Sequence, residues 1–126
     1  MGLNSGISIA KRKVLTTFKT TLQSLKSVGN ETEIISFLSR QIVILLPHIR
    51  HAIDLQIPTC ETDEQKQRIL LEKRFIDELE KVMRSYLTKR EGSERNECYE
   101  NILTKIDSIL YMFGGELHEY DRRNNS

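Results

Sequence analysis

The chain has no tryptophan, two prolines, two cysteines and only 6% aromatic residues among 126. Proline scarcity leaves long segments free to be helical. The cysteines, Cys60 and Cys98, form neither a CxxC pair nor a zinc-ligand spacing, so no structural zinc site is expected, and with no secretory signal in the sequence a structural disulfide is not expected either. The longest uninterrupted apolar run is residues 42–46. A membrane-spanning helix needs about 20 apolar residues, so neither a transmembrane segment nor a secretory signal is expected. Glycine offers no phosphate cradle, because Gly114-Gly115 follows a helical pattern instead of opening one. These absences imply no cofactor and a reducing cytoplasm, of a cell or an infected host.

What is present favours helix. Leu, Ile, Lys, Glu and Arg dominate, and 29% of residues are charged against 38% apolar, the balance of a single folded domain. The apolar positions Ile7, Val14, Leu15, Phe18, Leu22 and Leu25 predict a first helix over residues 7–28, ended by Gly29. Asn30, with Glu33 three residues on, predicts the N-cap of a second. That helix is apolar nearly all round by residues 42–46, which implies central burial. Pro47 should kink or split it there, with Ile49, Ala52 and Ile53 facing inward beyond. Pro58 closes the unit. Thr62 and Gln65 predict the cap of a third helix, to about residue 90. In it Ile69, Ile76 and Met83 repeat every seven residues, interleaved with Leu79, Tyr86 and Leu87. Its outer face should carry Glu64–Arg68, Asp77–Lys81 and Glu80–Arg84 pairs. After Gly92 and Ser93, a fourth helix should bury Tyr99, Ile102, Leu103, Ile106, Ile109, Leu110 and Phe113. The expected fold is an all-α, up-down-up-down four-helix bundle over residues 1–115, followed by a polar, flexible tail over residues 116–126.

Charge is uneven along the chain. Residues 1–58 hold seven Lys or Arg against three Asp or Glu, and the first 30 residues hold no acid at all. Lys11, Arg12, Lys13, Lys19 and Lys26 therefore form a candidate partner-binding face on the first helix. Lys11 falls close to the apolar stripe, which suggests that the helix enters the core only after it. His48 and His51, three apart, with Asp54 three further on, are candidate metal ligands for a metal-dependent enzyme. The plainer reading is that they solvate an outer face, and no third or fourth ligand stands at a zinc-like spacing. Cys98 reads as a small packed residue and Cys60 as an ordinary loop thiol. The carboxylates of the third helix alternate with Lys and Arg, the pattern of a solvated surface rather than of a catalytic pair. Met1-Gly2 lacks the hydroxyl residue at position 6 that acylation of Gly2 requires.

The expectation is a non-enzymatic helical interaction protein, of the inhibitor, immunity, adaptor or viral accessory type. It would bind a protein partner through charged helix surfaces, with a homodimer through the third helix as one form. The alternatives are nucleic-acid binding through the basic face of the first helix and metal-dependent catalysis at His48, His51 and Asp54.

Overall fold

A computed structural model describes residues 2–89 and 92–113. Five α-helices follow one another: α1 (Gly2–Val28), α2 (Glu31–Val43), α3 (Leu45–Gln56), α4 (Asp63–Thr88) and α5 (Ser93–Phe113), with a short 3-10 turn at Ile57–Thr59 after α3. The described residues contain no strand. The chain is an all-α helical bundle, as its periodicity predicts. Gly114, Gly115 and the expected tail over residues 116–126 lie outside the described residues, as does the side chain of Phe113.

Local chemistry accounts for each boundary. Gly29 takes φ +79°, and its N–H reaches the carbonyls of Leu25 and Lys26, closing α1. The Asn30 side chain accepts from the Glu33 N–H at 3.1 Å and starts α2. Thr62 does the same for Gln65 N–H at 3.1 Å. The reciprocal half of that cap is displaced by one residue, because Gln65 Oε1 accepts from the Glu61 N–H at 2.8 Å. Helix α1 starts five residues earlier than the apolar stripe suggests, and α4 stops at Thr88.

The break caused by Pro47 falls upstream of it. In a continuous helix the Pro47 ring would meet the carbonyl of Val43. The chain instead breaks at Ile44 (φ −107°, ψ −56°), and Pro47 becomes the third residue of α3. There, in a first helical turn, a missing N–H costs no helical hydrogen bond.

Each helix contributes a stripe to one core. Leu15, Phe18 and Leu22 come from α1, and Ile34, Leu38 and Ile42 from α2. Leu46, Ile49 and Ile53 come from α3, Ile76, Leu79 and Met83 from α4, and Ile102, Ile106 and Ile109 from α5. A fully buried side chain of this size contributes roughly 1.5–3 kcal/mol. Rungs between helices give their relative directions. Lys19–Asp107 and Lys26–Asn96 run α1 antiparallel to α5. Asp54–Lys73 and Arg50–Asp77 do so for α3 and α4, and Glu78–Lys105 and Arg68–Met112 for α4 and α5.

Candidate interaction surfaces and a buried charged cluster

Three helices end their core stripes on a polar residue at the same end of the bundle. In α1 the stripe Leu15–Phe18–Leu22 extends back by four to Lys11. In α4 the stripe Ile76–Leu79–Met83–Tyr86 extends back by four to Glu72. In α3 Ile49 and Ile53 lead three residues on to Gln56. All three polar residues are buried, Lys11 with 3% of its surface exposed, Gln56 with 2% and Glu72 with 4%. Lys11 Nζ donates to Glu72 Oε2 at 2.7 Å and to Gln56 Oε1. Two opposite charges taken out of water need each other and a further polar partner, and this arrangement supplies both.

This corrects the sequence reading of Lys11. The helix does not enter the core after Lys11; it enters with it, and the side chain is not on an outer face. The signal was present, since Lys11, Gln56 and Glu72 each occupy the next core position of their helix. Only the fold brings the three together.

The other cations expected on the first helix are mostly engaged as well. Arg12, Lys19 and Lys26 are spaced by seven and all turn toward α5. Arg12 donates to the Leu110 carbonyl at 3.3 Å, Lys19 to Asp107 at 2.6 Å and Lys26 to Asn96 Oδ1 at 2.6 Å. Lys26 Nζ also stands 5.2 Å from the ring centroid of Tyr99. Lys13 alone of the five is exposed and makes no side-chain hydrogen bond or ion pair among the described residues. It borders a hollow of about 340 Å³ between α1 and the α2–α3 joint, with Phe18, Phe37, Gln41 and Leu45 on its walls.

Arg12 and Arg68 each take one carbonyl in the last turn of α5. The last four carbonyls of a helix lack helical partners and carry partial negative charge. Arg12 from α1 takes the Leu110 carbonyl, and Arg68 from α4 takes the Met112 carbonyl at 3.0 Å. On the outer side of this junction α4 and α5 leave a groove of about 740 Å³. Leu71, Phe75, Tyr111 and Met112 line it, with Arg68 and Asp107 among its polar residues. Leu70, Leu71 and Tyr111 are exposed on the two helices that form it.

The face of α4 toward α3 and α5 carries ion pairs. Arg50 bonds Asp77 at 3.0 Å and Glu80 at 2.7 Å, and Arg84 adds to Glu80 at 2.9 Å. Asp77 thus finds its partner across the helix pair, where the sequence suggested Lys81. The hydrogen bond from Arg50, then that from Arg84, holds the Glu80 carboxyl below its ordinary range. At the other end of α4 the Tyr86 ring is fully buried, and its hydroxyl has no hydrogen-bond partner among the described residues. Burial, then the nearby Glu31 carboxylate, pushes the Tyr86 phenol up.

The candidate metal ligands do not converge. His48, His51 and Asp54 are all exposed on α3, and Asp54 is paired with Lys73 at 2.8 Å. Among the described residues no group of three or more His, Cys, Asp or Glu side chains is placed to hold a metal ion. Cys98 is buried, as expected; Cys60 is half-buried, with Sγ 3.5 Å from the Gln56 carbonyl, and both thiols are free.

One stretch, Glu31–Thr59, is long and apolar enough to cross a membrane by length and composition. In this fold it is broken at Ile44, and the inner faces of both halves lie in the core. Compared with known proteins, the chain matches no family model, no curated protein and no solved structure.

Proposed function

We propose that this chain is a non-enzymatic interaction protein that binds a macromolecular partner through its helix surfaces. The observation that carries the reading is the α4–α5 groove, with Leu71 and Phe75 on one wall and Tyr111 and Met112 on the other. Its α5 wall runs from Thr104 to Met112, nine residues whose eight steps of 1.5 Å span about 12 Å. That is a little over two turns, enough to seat side chains spaced i, i+3 and i+7 on a partner helix. Its occupant is a protein helix with an apolar face. The long helix α4 is a docking element in this reading, because it supplies Arg68, Leu71 and Phe75 to the groove. For α1 the fold moves the emphasis away from the cations, since Lys11 is buried and Arg12, Lys19 and Lys26 are bonded to other helices. A reducing cytoplasm belongs to this reading, supported by two free thiols.

The test compares the tagged full-length protein with a Leu71→Glu variant and a Lys81→Glu control, all with native helical content. The reading expects a defined partner captured by the parent and the control and lost with Leu71→Glu. Identical capture by all three removes the groove. A concentration-dependent dimer in light scattering that Leu71→Glu abolishes replaces the foreign helix with a second copy.

A further inference from the structure

We infer that the exposed face at the joint of α2 and α3 is a docking surface for an anionic lipid membrane. This rests on different residues from the α4–α5 groove and stands independently of it. Val43 is 72% exposed and Ile44 61%. The outer side of α3 continues from Ile44 through Pro47, His48, His51 and Leu55, all exposed, opposite the buried side of Leu46, Ile49 and Ile53. An ordinary surface helix alternates one apolar face with a charged one. Here both faces carry apolar residues, which is why residues 31–59 as a whole reach the apolarity of a membrane span. The break at Ile44 and the buried inner face fix this segment along a surface rather than across a bilayer.

Charge selects the occupant. Residues 34–53 contain no Asp or Glu. Of the two arginines in the stretch, Arg50 is held by Asp77 and Glu80, whereas Arg40 is exposed and makes no ion pair or side-chain hydrogen bond among the described residues. Lys13 borders the same joint across the hollow that Gln41 and Leu45 line, and it too is uncommitted. Protruding aliphatic side chains beside uncommitted cations, with Asp54, the exposed carboxylate next to Leu55, neutralised by Lys73, fit a surface that is anionic outside and apolar beneath. A lipid leaflet bearing acidic headgroups is such a surface. Val43, Ile44 and Leu55 would enter the boundary between headgroups and acyl chains, and Arg40 and Lys13 would meet the phosphates.

The experiment is co-sedimentation of the full-length protein with vesicles of phosphatidylcholine alone and of phosphatidylcholine mixed with phosphatidylglycerol. Ile44→Glu, Leu55→Glu and Arg40→Glu/Lys13→Glu variants are run beside it, each with its helical content checked by circular dichroism. Binding to the mixed vesicles is expected to be roughly tenfold tighter than to the neutral ones and to weaken with salt. Ile44→Glu and Leu55→Glu should each abolish it, and the double charge reversal should remove the preference for anionic vesicles. Leu71→Glu should leave lipid binding unchanged, which separates this result from the fate of the groove. Three outcomes would overturn the inference: no binding to anionic vesicles by the folded parent, binding unaffected by both apolar-to-Glu variants, or a dimer that Ile44→Glu dissociates without any lipid binding.

Discussion

Helix α1 and the α2–α3 pair invert what their compositions suggest. Helix α1 is the cation-rich element, yet four of its five cations are tied to other helices. Lys11 is buried against Glu72, and Arg12, Lys19 and Lys26 bond to α5. The α2–α3 pair is the apolar element, yet it leaves Val43 and Ile44 in solvent at the joint. The difference teaches that availability is a property of position, not of residue type. A lysine four residues before a core leucine, in register with a carboxylate on another helix, is withdrawn from the surface. An isoleucine at a helix break has no second layer to cover it.

The comparison breaks first at Lys11. Replacing it by Met would leave the Glu72 carboxylate buried without its cation, at an expected cost of about 3–5 kcal/mol in urea unfolding. Adding Glu72→Leu should recover most of that loss. If the single variant is as stable as the parent, the pair is not held out of water. The second break sets neighbours against each other. Leu46 is fully buried and Ile44 is 61% exposed. Leu46→Ala should cost about 2–5 kcal/mol and Ile44→Ala no more than about 0.5. Equal losses would mean that the joint is covered.

Acid titration sharpens the contrast between buried and half-exposed charge. Arg50 and Arg84 lower the folded-state value of Glu80 below its ordinary 4.5. A carboxyl depressed in the folded state adds stability above its unfolded value, and that contribution is lost as pH falls through the folded one. Glu80→Gln should therefore flatten the decline in stability below about pH 4.5, while lowering stability at neutral pH. A smaller effect is expected at Lys19, whose side chain is 26% exposed beside an Asp107 that is 57% exposed. Lys19→Ala should cost roughly 0.2–1 kcal/mol, far less than Lys11→Met on the same helix. The smallest effect carries the opposite sign. The Tyr86 hydroxyl lacks a partner among the described residues, so Tyr86→Phe should be neutral or stabilise by up to about 1 kcal/mol. A clear loss on thermal melting would reveal a hydrogen bond to that hydroxyl.

Much of the local structure was legible because it is set by neighbours in the chain. Asn30 and Thr62 cap as their spacing to Glu33 and Gln65 predicts, and Gly29 ends α1 in the left-handed conformation. Pro47 was recognised as the breaker but not the position of the break, because a proline ring displaces the turn before it. The candidate site was far less legible. Charge alone places Lys11 on a binding face, because a lysine ordinarily keeps its ammonium in water. The polar extensions of three stripes mean little singly and become a cluster only when α1, α3 and α4 meet. Spacing within α4 pairs Asp77 with Lys81, and the fold supplies Arg50 from α3 instead.

By itself the sequence determined the helices, their caps and the stripes that face inward, since propensity, capping and period act over a few residues. Tertiary structure alone decided which charges are available. Desolvation and ion pairing depend on what lies across the helix interface, so Lys11, Arg12, Lys19 and Lys26 became internal ties. Lys13, Arg40 and the aliphatic joint at Val43 and Ile44 were left facing outward.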